Sequence, residues 1–164
     1  MLVDVRMVYQ VGIGEMRLTD RSGEVLVASS IGAGIAIALH DPATKVSGLL
    51  HFMLPDSESH ARAAAGNPCL FADTAIPAFL RAAAALGASP GKSRITMAGG
   101  AQPIDPTDFF AVGARNQAMA RKILWKHGLR IESEHVGGTI ARRLRLESGT
   151  GTASLEDHER EFAR

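Results

Sequence analysis

Apolar residues in this chain come first as short alternating runs and then, mid-chain, at helical spacing. Residues 25–28 (V-L-V-A) form one apolar run, and Ile35, Ile37 and Leu39 recur at every second position with Ala36 and Ala38 between them. Both runs are too short for helices, and a period of two marks buried strands. Asp41-Pro42-Ala43-Thr44 predicts a turn, because the Asp side chain can hydrogen-bond its own backbone and Pro42 presets φ. Residues 46–54 then return as an extended segment. The pair reads as a hairpin that brings Gly34 and His51 together across its ladder.

Residues 56–68 are polar and rich in Ala and Gly, the pattern of a surface loop or frayed helical turn. Ile76, Phe79, Leu80, Ala83 and Leu86 share one face at a 3.6-residue period and predict a helix over 75–86. Thr74 is its expected N-cap, Pro77 falls in the first turn, and Gly87 closes it. A strand is predicted at 94–97. A second helix is predicted at 113–127, with Met119, Ala120, Ile123 and Leu124 inward and Gly128 behind it. Strands at 129–136, 140–146 and 152–155 follow, divided by Gly137-Gly138 and a turn at 148–151. Residues 156–164 are charged and expected to fray. No linker or repeat interrupts the chain, so residues 1–164 read as one domain. Strands and helices interleave without strict βαβ alternation, which predicts an α+β fold.

Composition narrows the function classes. With 164 residues, 46% of them hydrophobic, the chain can bury a core. A net charge of +1 and an aromatic content of 5% leave neither an electrostatic footprint nor a stacking platform for nucleic acid. The single cysteine, Cys69, excludes an internal disulfide and fits a reducing compartment. No basic, apolar leader opens the chain, and no run of about 18 apolar residues occurs. The expected location is the cytoplasm, without membrane insertion. The six histidines lack ligand spacing, so neither a metal nor a cofactor is expected. Two glycine-rich stretches are decoys. Gly32-x-Gly34 opens onto a strand rather than a helix. G-A-S-P-G-K-S at 87–93 is one residue short of a phosphate loop and lies between a helix and a strand.

The stretch I-G-A-G-I-A-I-A-L-H-D-P at 31–42, followed by H-F-M-L-P at 51–55, resembles the paired signature of the CheD family of chemoreceptor glutamine deamidases. In that family the first stretch usually reads L-G-S-C-V-A-V-x-L-x-D-P. Further stretches are similar in order and spacing. V-G-I-G-E at 11–15 resembles the family's opening strand, F-A-D-T-A at 71–75 a helix start, and L-G-A at 86–88 that helix's end. A-G-G-A at 98–101 resembles its G-G-A segment, G-A-R-N at 113–116 another helix start, and Gly137-Gly138 the end of a D-T-G-G motif. The resemblance covers roughly residues 11–155.

That resemblance implies layers of β-sheet flanked by helices, related to the catalytic domain of cytotoxic necrotizing factor toxins. It implies amide hydrolysis on receptor glutamines, and as partners the helical cytoplasmic bundle of chemoreceptors and CheC, a phosphatase of the response regulator CheY. It also implies a catalytic Cys, Thr and His. The His is kept as His51, but Gly34 stands at the Cys position and Ala28 at the Thr position. Glycine cannot form a thioester, so the family reaction is expected to be lost and a binding role to remain. Two alternatives stay open: a deamidase using Cys69, Ser29 or Ser30 as substitute nucleophile, and a regulatory domain outside chemotaxis.

Overall fold

The computed structural model describes residues 6–102 and 111–157. Among them the I-A-I-A-L alternation has a direct reading: both faces of its strand are buried, by different partners. The strands are β1 (Met7–Gln10), β2 (Glu15–Thr19), β3 (Glu24–Ile31), β4 (Ile35–His40), β5 (Ser47–Phe52), β6 (Arg94–Gly99), β7 (Ile131–Val136), β8 (Arg142–Glu147) and β9 (Ala153–Asp157). The helices are α1 (Ala61–Gly66), α2 (Ala72–Ala85) and α3 (Val112–Lys126). One sheet runs β1-β3-β8-β9 and the other β2-β5-β4-β6-β7, giving the layered α+β arrangement that the sequence predicts.

Three layers follow from the packing. Ile35, Ile37 and Leu39 of β4 join Leu50, Phe52, Ile95 and Met97 in a core covered by α2 and α3. Ala36 and Ala38 face the other way, with Leu49 and Ala98, onto Leu26, Ala28, Ile31, Leu144 and Leu146 of the opposed sheet. Small side chains on this inner face let the two sheets approach closely. Among the described residues no helix is long and apolar enough to cross a membrane.

The predicted hairpin is β4–β5, in register from Ile35↔Phe52 to His40↔Ser47. Its turn is held as expected, with the Asp41 carboxylate accepting from the Ala43 N–H at 3.0 Å and also from the Ser89 N–H at 2.9 Å. Those bonds hold the Asp41 carboxyl below the usual carboxylate range.

Several local expectations are corrected. Residues 11–14 are a turn between β1 and β2, and only Glu15 of that stretch is strand: Gly14 takes φ +80°, and the Gly12 N–H donates to the Glu15 carboxylate at 3.1 Å. Helix α2 starts at Ala72, so Thr74 lies inside it and Pro77 deeper than the first turn. The Thr74 hydroxyl donates backward to the Pro68 carbonyl at 2.5 Å instead of accepting from the helix. Strand β9 extends to Asp157, two residues into the stretch expected to fray; residues 158–164 lie outside the described residues.

Candidate functional site

Gly34 immediately precedes β4, and His51 pairs with Ala36 one strand over. Strand alternation sends Leu50 and Phe52 to the helices, so His51, like Leu49, points into the layer between the sheets. Gly34 is buried at the edge of that layer. A Cβ on Gly34 would stand 3.6 Å from His51 Nε2. The hairpin thus brings the two positions together as the sequence predicts.

The bend carrying Gly34 is held from several sides. The Gly100 N–H donates to the Gly34 carbonyl at 2.8 Å and the Ala101 N–H to the Gly32 carbonyl at 2.9 Å. Asn116, fully buried on α3, donates from Nδ2 to the Ala33 and Met53 carbonyls, each at 2.9 Å. One side chain therefore ties the bend before Gly34 to the chain just beyond His51. Gly99 must be glycine: at φ +116° a Cβ would fall on the Gly34 carbonyl. The G-G-A and G-A-R-N stretches thus converge on the bend that carries Gly34. The sequence marked Asn116 only as part of a helix start; its signal is a polar residue on the inward stripe with Ala120, Ile123 and Leu124.

His51 is 1% exposed, and neither Nδ1 nor Nε2 has a hydrogen-bond partner. Burial pushes its pKa below that of a free imidazole; the nearby Val11 carbonyl opposes this without reaching hydrogen-bond geometry. The ring is therefore neutral, with nothing to activate.

Ala28 is fully buried in the same inter-sheet cluster and pairs with Leu144. Just beyond it β3 bulges, advancing from Ala28 to Ile31 while β8 advances only from Leu144 to Arg142. Ser30 takes φ +53° in the bulge, and Ile31 rather than Ser30 faces inward.

The substitute nucleophiles are placed elsewhere. Cys69 packs in the helix-side core, across the sheet from the face that His51 occupies, and burial pushes its thiol pKa up. The Ser29 hydroxyl is engaged with Gln10 Oε1 and Arg143 Nε, each at 3.3 Å. Ser30 is exposed on the bulge.

A family profile described as CheD chemotactic sensory transduction matches residues 53–157. A protein of Syntrophus aciditrophicus named "Probable chemoreceptor glutamine deamidase CheD 1" is 43% identical over 141 residues, covering 86% of this chain and 88% of its own. That span necessarily takes in Gly34 and His51. Proteins named "Probable chemoreceptor glutamine deamidase CheD" are similar too. The one from Solibacter usitatus is 38% identical over 90% of this chain and 88% of its own. The one from Haloarcula marismortui is 37% identical over 87% and 80%.

Proposed function

The chain belongs to the CheD family, and we propose that it acts in chemotaxis as a member that binds its partners without deamidating them. The observation that carries this reading is Gly34: where a Cβ would sit 3.6 Å from His51 Nε2, there is no side chain. Hydrolysis of a glutamine amide by a Cys-His pair needs a thiolate to attack the carbonyl carbon. It also needs donors for the oxyanion and a proton for the departing ammonia. His51 could serve only the proton transfer, and it is buried, neutral and unpartnered. Ala28 supplies no hydroxyl to orient or polarise the site. Loss of the nucleophile from such a unit costs several orders of magnitude in rate.

Binding and chemistry are separable contributions. The clamp by Asn116, Gly100 and Ala101 keeps the backbone of the site in place without the thiol. The proposed partners are the helical cytoplasmic bundle of a chemoreceptor or a CheC-type phosphatase, and the proposed place of action is the cytoplasm.

The test is incubation with cognate receptor fragments, read by mass spectrometry and calorimetry together. The expected outcome is micromolar binding, on the order of −8 kcal/mol, with no gain of the roughly one dalton that glutamine-to-glutamate conversion brings. Conversion above a buffer control overturns the loss of chemistry. Absence of binding to receptor and phosphatase alike leaves a regulatory role outside chemotaxis.

A further inference from the structure

We propose that the outer face of α3, centred on Trp125, docks an acidic helical segment of a partner protein. Trp125 is the only tryptophan of the chain and is 78% exposed. An indole left this open on a helix whose other large apolar side chains, Met119, Ile123 and Leu124, are at least half-buried marks a surface awaiting cover. Two hollows lie along the same side of α3. One, of about 600 Å³, is walled by Lys122 and Trp125 and floored by Leu129 and Ile131. The other, of about 240 Å³, lies between Pro55, Arg115 and Met119. Lys122 borders both, so the two make one elongated surface.

Charge identifies the occupant. Arg121 is neutralised by Glu134 at 2.8 Å, and Arg115 by Asp56 at 3.6 Å. Lys122, Lys126 and Arg130 have no ion-pair partner among the described residues. A chain with net charge +1 thus gathers three uncompensated cations around one exposed indole. Lys122 and Lys126 stand one turn apart on α3, about 6 Å along its axis. Carboxylates at i and i+4 on an adjacent helix repeat that spacing, and an apolar side chain between them would meet the indole.

Nucleic acid is disfavoured, because Glu134 and Asp56 line the surface and one aromatic ring cannot stack successive bases. A lone indole also gives little of the apolar face that membrane binding needs. The Trp125 end of the surface is separate from the Gly34 site, nine residues and about 13 Å along the helix from Asn116, whereas the Pro55–Arg115 end adjoins the Asn116 clamp. The proposal therefore stands whether or not the chain deamidates.

Because Trp125 is the only tryptophan, its fluorescence reads this surface directly. The probe is a synthetic helical peptide with Glu pairs four residues apart and Leu on the same face. The expected result is a blue shift of emission, protection from acrylamide quenching, and binding that weakens with added salt. The triple variant Lys122→Glu, Lys126→Glu, Arg130→Glu should keep its melting temperature and lose at least roughly tenfold in affinity. The proposal is overturned by no shift, by an undiminished shift in the triple variant, or by equal binding of the peptide with Gln in place of Glu. Stronger protection by a single-stranded oligonucleotide or by phosphatidylglycerol vesicles overturns it as well.

Discussion

Gly34 lies so close to Phe52 that a Cβ on the glycine would stand 2.6 Å from the Phe52 carbonyl oxygen. Placing a cysteine at this position is therefore not a simple insertion. The side chain would be aimed at His51, but β5 or the bend must first move apart. Gly34→Cys should lower stability by about 1–3 kcal/mol, and Gly34→Ala, which adds a Cβ without chemistry, should cost nearly as much. Denaturant unfolding measures both. An unperturbed Gly34→Ala variant would show that the approach to Phe52 is not tight in solution. Combined with Ala28→Thr, Gly34→Cys should yield deamidation well below that expected of an intact Cys-His site, read by the same one-dalton mass gain.

His51 carries two ring nitrogens out of water and pairs neither. An apolar replacement removes that desolvation cost, so His51→Leu should be at least as stable as the parent, by up to about 1–2 kcal/mol. Most core substitutions destabilise, which makes the opposite sign informative. A clear loss of stability on denaturant titration would mean that the ring has hydrogen-bond partners in solution.

The same burial predicts a pH dependence. His51 and His40 both have pKa values lowered in the folded state, chiefly by burial. The unfolded chain takes up protons near pH 6.5 that the folded rings refuse. Stability should be level above that pH and fall as pH drops below it. Asp41, whose pKa is lowered by its hydrogen bonds, adds a separate loss only in the more acidic carboxylate range. Melting curves between pH 5 and 8 should show the first decline, and His51→Leu should make it shallower. An unchanged slope in that variant would count against a neutral, buried ring.

Much of this arrangement was legible in the chain. The β4–β5 hairpin could be read because the apolar alternation and the Asp-Pro turn agree. The stripe of α3 was equally plain in Ala120, Ile123 and Leu124. Strand β1 carries no readable pattern because three of its four residues are exposed; β2 does alternate, Met16 and Leu18 facing the core between exposed Glu15 and Arg17, but over only five residues. Gly34 and His51 are legible as neighbours across the hairpin, yet their burial is not. The burial of His51 depends on a second sheet closing over it, and the contact between Gly34 and Phe52 is a backbone approach that leaves no mark on side-chain pattern.

Asn116 should prove the costliest polar residue of the region. Asn116→Leu removes two hydrogen bonds and strands the Ala33 and Met53 carbonyls. The expected loss is about 2–4 kcal/mol, with faster amide exchange at Gly100 and Ala101, whose N–H groups bond the same bend. Exchange unchanged at those two amides would separate the Asn116 clamp from the Gly34 bend.

Cys69 should behave as a packed side chain. At 8% exposure, with its pKa raised by burial, the thiol should resist disulfide reagents in the native protein and react on unfolding. Cys69→Ala should leave any residual conversion of receptor glutamine unchanged. Rapid native-state labelling, or conversion that vanishes in this variant, would return Cys69 to the list of nucleophiles.

Successive residues of β5 serve different neighbours: Leu50 and Phe52 hold α2 and α3, while Leu49 and His51 meet the opposite sheet. The two halves of the interior share a backbone but not their side chains. Side chains at 28 and 51 are therefore insulated from the half that anchors the helices, whereas position 34 reaches it through the Phe52 carbonyl and Asn116. Such a partition lets side chains between the sheets change while those that seat the helices stay in place.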